Sequence, residues 1–558
     1  MAIVTFNRDL FEKEIGKLDE NLQNKIAMFG TPIEKIDEKE IHLEIFPNRP
    51  DLLSYYNFRR AFLSFLGKAK GLKKYKIKKP ESNFEVIIDS SVKDVRPFTA
   101  CAIVKNLDFD EEKIKDIIEL QEKIHFTVGR KRKKVAIGIY PLEKIKLPIT
   151  FKALEPDKIK FVPLDFDKEM SGLEILQRHP KGREFSELLA GKVKFPIFVD
   201  SAGEILSMPP IINSKKTGKI TTETKDVFVE CSGFDFDLLK SCLNILVSSL
   251  AEMGGQIYQM KLKYKKPEIT PNFTPKKIKI SLKNVNFLLG LNLNEKQIKI
   301  LVEKMGHDYK KNFVEIAPWR IDILHEVDII EDIAIAYGYE NFVPEIPKID
   351  GFGEEDKKES LKEKISNILV GLGFLEVCSF HLTRQNDQFG KMGIQKKFND
   401  SLKVVSAKTE YSILRENLSH ILLRILSENV DAEYPQKIFE IGKIFKIVKE
   451  KEGFFIKSER KKILEEESLC IALSPGNYTE IRRVLEYLFN SIDKKIEIKE
   501  SEKAPNYFIE GRVAEIFFEG KSIGYMGEVH PKILENWKIR MPVAIAEINI
   551  NYVLESLL

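Results

Sequence analysis

The sequence predicts an α+β multidomain chain, on three observations. At 558 residues it is too long for a single core, so three or four domains are expected. Three stretches rich in proline, glycine or charge punctuate it. Between them strand-like alternation and helical apolar spacing take turns, the pattern of antiparallel sheets packed with helices.

The elements follow in chain order. In residues 1–80, "FPNRPDLLSYYNFRRAFLSFLGKAKG" predicts a helix that begins at Pro50, whose missing N–H costs nothing in a first turn, with Asp51 at the positive dipole end. Leu52, Leu53, Tyr56, Leu63 and Leu66 supply the apolar spacing and Gly67 the stop. The basic stretch "KIKKPESN" around Pro80 closes this segment. Residues 81–265 read as strand-rich. "KKVAIGIY" and "KFPIFVDSAGEILSMPPIIN" alternate like strands, with turn chemistry at "DSAG". "DLLKSCLNILVSSLAEMGG" reads as an amphipathic helix ended by a glycine pair. "KLKYKKPEITPNFTP" (261–275) combines charge with three prolines and reads as a linker.

Residues 272–345 contain "WRIDILHEVDIIEDIAIAYGY" (319–339), both acidic and oily. From Glu326 it predicts a helix with Ile330, Ile333, Ala334 and Tyr337 on one face. Asp328, Glu331 and Asp332 share another stripe, and Asp322 could fold back toward it. Like charges at this spacing need a counter-charge. A solvated face, a hard cation such as Mg²⁺ and a basic surface of another chain all satisfy that chemistry. A third break, "VPEIPKIDGFGEEDKKES" (343–360), precedes a last domain over 355–558. There "LKEKISNILVGLGF" and "LSHILLRILSENV" read as helices, "QKIFEIGKIFKI" and "RVAEIFFEG" as strands of an antiparallel sheet.

Composition narrows the function classes. Five cysteines, never spaced CxxC, fit a reducing cytoplasm and argue against zinc. No apolar run approaches bilayer length and the start lacks signal-peptide character, so a cytoplasmic chain with no membrane role is expected. Net charge is only +5. The runs "KKYKIKK", "GRKRKK" and "KLKYKK" could neutralise phosphates or simply decorate loops. No phosphate loop, dinucleotide fingerprint, HExxH or GxSxG elbow occurs, and lone histidines such as His42 and His420 read as structural.

"NRPDLLS", "WRIDILHEVDIIEDIAIAYGYENF" and "GEVHPKILENWKI" stand in order across nearly the whole chain. Together they resemble the phenylalanine–tRNA ligase (phenylalanyl-tRNA synthetase) β-subunit family. "ILSMPPIINSKKTGKITTETKDVFVECSGFD" is similar to the archaeal/eukaryotic type. The resemblance implies a tRNA-editing domain over 81–265 that hydrolyses tyrosine mischarged onto tRNA(Phe). It implies a helix-turn-helix-like domain over 272–345, whose acidic positions, here Asp322, Asp328, Glu331 and Asp332, hold Mg²⁺ shared with an α subunit. It implies a catalytically inactive class II synthetase-like domain over 355–558. The implied assembly is an α₂β₂ heterotetramer that charges tRNA(Phe), with ATP and phenylalanine handled by α.

Local residues agree with an inactive synthetic site. Arg415-Glu416 faintly echoes the class II arginine that holds ATP phosphate, but "GYMGEVHPKIL" has no arginine at its helix start. For editing, the resemblance assigns Ser207 and Asn213, with Thr221, Thr224 and Glu230 nearby; Arg130 and its basic neighbours could receive the tRNA 3′ end. Turn and strand-end chemistry accounts for Ser207 and Asn213 equally well. After "KKVAIGI" the family usually continues His-Asp; Tyr140 and Pro141 stand there instead, which implies altered or weak editing. The rival readings are a non-catalytic tRNA- or protein-binding scaffold and a free-standing trans-editing hydrolase.

Overall fold

The computed structural model describes residues 2–347, 351, 353–395, 401–450, 460–501 and 503–557. It divides into two compact units, Met1–Ile346 and Pro347–Leu558. Part of the third sequence break, 348–350 and 352, lies outside the described residues.

The N-terminal helix of the first unit starts later than its sequence predicts. Pro50–Leu52 makes one 3₁₀ turn and the α-helix runs Tyr55–Phe65. Ser54 wins the cap: its hydroxyl accepts the Asn57 N–H at 3.2 Å. Asp51 serves no helix dipole. It is buried and takes both Arg49 nitrogens at 2.9 and 3.0 Å. The helix buries Phe58 and Phe62 and meets the helix Phe236–Glu252 through polar contacts. Ser54 and Ser249 hydroxyls lie 3.0 Å apart, and Asn57 Nδ2 donates to the Ile245 carbonyl at 3.1 Å. The Phe236–Glu252 helix is not amphipathic as expected. Every residue from Cys242 to Leu250 is buried, because neighbours cover it on all sides. Gly254, at φ +104°, ends it.

A ten-stranded sheet follows. Its path in space runs from Ile212–Asn213 through Ile205–Met208, Phe195–Val199, Ile149–Leu154 and Glu85–Ile88. It continues through Gln256–Lys263, Phe98–Lys105 and Val227–Gly233 to Val135–Pro141. The stretch expected to be a linker belongs to this sheet. Gln256–Lys263 pairs with Glu268–Thr270, and Met260 and Leu262 point into the core between exposed lysines. Period-two burial outweighs the prolines, which stand outside both strands. "DSAG" is a turn in which Asp200 Oδ1 accepts the N–H groups of Ala202 and Glu204 at 2.9 and 2.8 Å.

The last part of this unit is a three-stranded sheet, Lys276–Lys279, Phe313–Ile316 and Asp308–Lys310, with three helices. Leu282–Leu289 is closed by Gly290 at φ 63°, Glu295–Lys304 follows, and both pack on the third helix. The third helix runs Glu326–Tyr337, as the periodicity predicts, and Ile330, Ile333 and Ala334 are buried. One apolar core is continuous from Val4 to Ala336, so residues 2–80, the sheet and the helical part share it.

The second unit is a seven-stranded sheet, antiparallel except where Leu375–Glu376 joins it. Leu469, Ile471 and Leu473 face one core with the helices Lys357–Gly371 and Tyr478–Ser491. Cys470 and Ala472 face another with Ser419–Glu428 and Pro531–Asn536. Among the described residues no helix is long and apolar enough to cross a membrane.

Candidate functional site

The acidic segment is organised around Arg320. Its guanidinium, buried beside Trp319, makes two nitrogen contacts to Asp322, Nε at 2.9 Å and Nη2 at 2.8 Å. It reaches Asp332 through Nη2 at 3.0 Å and Nη1 at 2.9 Å. His307 completes the clamp. The Ala317 N–H donates to its Nδ1 at 3.1 Å, so the ring proton sits on Nε2 and donates to Asp332 at 3.1 Å. Burial alone would raise the Asp332 carboxyl, yet Arg320 and His307 hold it well below the ordinary range.

The acids of this segment therefore do different things. Asp332 does not share an exposed stripe; it is 3% exposed, because it is the anion that Arg320 needs. Asp328 turns back to accept the Leu324 and His325 N–H groups, both at 2.7 Å, as a helix cap. Glu326 ties the helix to Ser281 and Asn284. Glu331 alone stays on the outside, and burial together with Asp332, Asp322 and Asp328 pushes its carboxyl up. Among the described residues no three His, Cys, Asp or Glu side chains are gathered to hold a metal ion. With Asp322 and Asp332 on Arg320, the residues do not fit a four-carboxylate ion site.

The second place is a cavity of about 150 Å³ in the first unit. Ala136, Ile137, Leu164 and Ile211 give it apolar walls, and Asn213 and Glu230 reach it from opposite ends of the sheet path. Glu230 is fully enclosed: burial pushes its carboxyl up to about 8, against the pull of Arg96, and its Oε2 has no partner. Ser207 lies behind, buried on Ile205–Met208 and in register with Asn213. The hydroxyl of Tyr140 stands between them, 2.8 Å from Ser207 Oγ and 3.4 Å from both Asn213 Oδ1 and Glu230 Oε1.

Ser207, Asn213 and Glu230 are thus brought together, whereas Thr221, Thr224 and Arg130 are not. Thr221 and Thr224 bond each other in a turn. Arg130 is exposed and lines a different hollow, beside Ala2 and Pro47. The arginine that enters the cavity is Arg132, missed because it is one of several cations in "GRKRKK". It donates to the Ile211 carbonyl and to Glu122, each at 2.9 Å. Arg130, Lys131 and Arg132 are three successive left-handed residues, at φ 47°, 53° and 64°. No glycine marks those three positions, so nothing in the sequence signals this reversal. In the second unit Arg415 is buried against Glu440 at 2.5 Å and donates to the Lys443 carbonyl at 2.7 Å, so it is not poised for a phosphate.

Two stretches match known families. Residues 278–339 match the tRNA synthetase B5 domain, and 343–550 match the phenylalanyl tRNA synthetase beta chain CLM domain. The class they define is an aminoacyl-tRNA synthetase, a ligase, of which this chain is one subunit. The phenylalanine–tRNA ligase beta subunit of Archaeoglobus fulgidus is 38% identical over 558 residues, 99% of this chain and 98% of that one. That of Thermococcus sibiricus is 40% identical over 511 residues, 90% of this chain and 88% of its own. An N-terminal fragment of the Pyrococcus horikoshii phenylalanyl-tRNA synthetase beta subunit superposes with a TM-score of 0.58 at 39% identity, covering 60% of this chain and 99% of the fragment. The chain belongs to the phenylalanine–tRNA ligase β-subunit family.

Proposed function

We propose that the chain acts as the β subunit of an α₂β₂ phenylalanine–tRNA ligase in the cytoplasm. The α subunit carries ATP, phenylalanine and the transfer chemistry; β supplies scaffold and tRNA surface. The observation that carries the division of labour is Arg415, whose guanidinium is spent on Glu440, Ser379 and the Lys443 carbonyl. The five cysteines are all free thiols, in keeping with a reducing compartment. Exposed Arg130, Lys131, Lys133 and Lys134 offer phosphate contacts to tRNA. Co-purification with a candidate α chain followed by a phenylalanylation assay tests the reading. The pair should charge tRNA(Phe), and β alone should show no phenylalanine-dependent pyrophosphate exchange; exchange without α would overturn it.

Magnesium enters at Asp328 and Glu331, since Mg²⁺ keeps most of its waters and uses one or two carboxylates. Asp322 and Asp332 would act from behind as fixed negative charge on Arg320. A cation here would offset the like charges of Asp332, Asp322 and Asp328, which add to burial in raising Glu331. Metal analysis of the purified α–β complex checks this: an ion lost in a Glu331→Gln complex supports it, and unchanged content removes Glu331 as a ligand.

A second, hydrolytic role is favoured by the buried Glu230 carboxyl, whose Oε2 has no partner, in a cavity that mixes apolar walls with Gln121, His125, Arg132 and Asn213. Tyrosine differs from phenylalanine by one hydroxyl, and an apolar synthetic pocket rejects an added hydroxyl poorly. A second pocket that bonds the hydroxyl can select tyrosyl-tRNA for hydrolysis. Deacylation of Tyr-tRNA(Phe) by the complex measures this, and an Asn213→Ala complex with an unchanged rate would remove Asn213 from the site.

A further inference from the structure

We propose that Tyr140 is an internal occupant of a hydroxyl-binding position just behind this cavity, where Ser207 meets Asn213 and Glu230, so that the chain's own phenol competes with a tyrosyl substrate. For its functional consequence the proposal rests on the hydrolytic reading above.

The geometry is specific. Tyr140 lies on Val135–Pro141, two residues beyond Gly138, so both side chains point to the same face of the sheet. Its ring folds back over Gly138, where a Cβ would stand 2.1 Å from the phenol oxygen and 2.5 Å from the nearest ring carbon. Glycine at 138 is therefore the space the ring occupies. Phe228 stacks on the other side, centroids 5.8 Å apart. The ring is fully buried, and its hydroxyl is delivered to Ser207, Asn213 and Glu230, the polar groups expected to read a substrate hydroxyl.

The remaining cavity of about 150 Å³ is of the size that admits a benzene-sized ring. Gln121, His125, Arg132 and Lys181 also line it, but the buried hydroxyl group behind it is no longer open to a phenol. Ser207 is engaged by Tyr140 at 2.8 Å, and of the polar set only Glu230 Oε2 is left without a partner. Strong selection between compounds differing by a hydroxyl requires that the buried groups be left unpaired when the hydroxyl is missing. Here Ser207 is already paired, and Glu230 keeps one free oxygen. Selective hydrolysis of the tyrosyl ester, in which water gives its hydroxyl to the tyrosyl carbonyl and a proton to the departing ribose oxygen, is thereby suppressed.

The test uses the assembled α–β complex with wild-type, Tyr140→Ala and Tyr140→Phe β chains, and calorimetric binding of p-cresol and toluene. Tyr140→Ala should bind p-cresol at least tenfold tighter than wild type does, and at least tenfold tighter than it binds toluene; Tyr140→Phe should keep the ring in place and gain nothing. Equal p-cresol affinity in wild type and Tyr140→Ala, or equal affinity of Tyr140→Ala for both probes, would overturn the proposal. Because the alanine variant could fail to fold, wild-type crystals soaked in p-cresol give an independent decision. A p-cresol hydroxyl on Ser207 with Tyr140 still in place overturns it; p-cresol absent from Ser207 upholds it. Tyr-tRNA(Phe) deacylation separates the two readings. A rate at least fivefold higher in Tyr140→Ala supports both, and a rate lower than wild type overturns the occupant. Hydroxyl-selective binding with no deacylation by either complex leaves the occupant standing and removes the hydrolytic role.

Discussion

Asp332→Asn is the sharpest test of the Arg320 clamp. The carboxylate is 3% exposed, faces two Arg320 nitrogens at 2.9 and 3.0 Å, and accepts the His307 Nε2–H at 3.1 Å. Asparagine keeps the shape, but its one oxygen cannot serve all three donors and its NH₂ must face a donor. His307 cannot reverse its tautomer, because Ala317 N–H holds Nδ1. Arg320 keeps only Asp322. Breaking a buried ion pair from one side costs about 3–5 kcal/mol. Unfolding entropy near 2.1 cal/mol/K per residue gives about 0.7 kcal/mol/K for the unit Met1–Ile346, so its midpoint should fall by about 4–7 °C. The pH dependence supplies a second reading. A carboxyl depressed in the folded state contributes stability that is complete above its unfolded value, about 3.9, and is lost as pH falls toward the folded one. Scanning calorimetry should therefore show a gap between wild type and variant that is full at pH 7 and narrower at pH 3. A shift under about 1 °C at pH 7, or one of equal size at both pH values, would refute the clamp.

Two further expectations concern the cavity. Gly138→Ala should destabilise by about 1–3 kcal/mol, since its Cβ must displace the Tyr140 ring. In a double-mutant cycle with Tyr140→Ala most of that cost should disappear; strict additivity in urea titrations would mean the ring does not fill this space. Glu230→Gln should be more stable than wild type at pH 8 by on the order of a few kcal/mol. The Glu230 carboxyl sits near 8 when folded, above its unfolded value, so the wild type loses stability as pH rises between the two, and the glutamine does not. A gap that stays constant from pH 5 to pH 8 would contradict this.

Periodic segments were legible in the sequence and paired ones were not. The Glu326–Tyr337 helix could be read because its apolar residues repeat at the helical period, and the strands around "DSAG" because two short apolar runs, buried almost throughout, flank a turn. The prolines of 261–275 misled, since a linker and a two-strand edge share that composition. At the site, Asp322, Asp328, Glu331 and Asp332 were visible as charge, but their division depends on Arg320 and on His307, which arrives from another element. Ser207, Asn213 and Glu230 meet only because the two ends of the sheet path face each other, a closure that no local pattern encodes. Arg132 rather than Arg130 enters the cavity because the chain reverses through left-handed residues with no glycine to announce it.

The contact between the Tyr55–Phe65 helix and the Phe236–Glu252 helix has a consequence for how the chain is born. Asn57 bonds the Ile245 carbonyl, 188 residues further on. At about 5–20 residues per second, a ribosome takes roughly 10–40 s to deliver that partner. Throughout that interval Phe58 and Phe62 can already pack on Phe6, Phe11 and Phe29, which precede them, while Ser54 and Asn57 wait for Ser249 and Ile245. The first eighty residues thus carry an aromatic cluster of their own, and what waits for the second helix is the polar side of Tyr55–Phe65, not its phenylalanines.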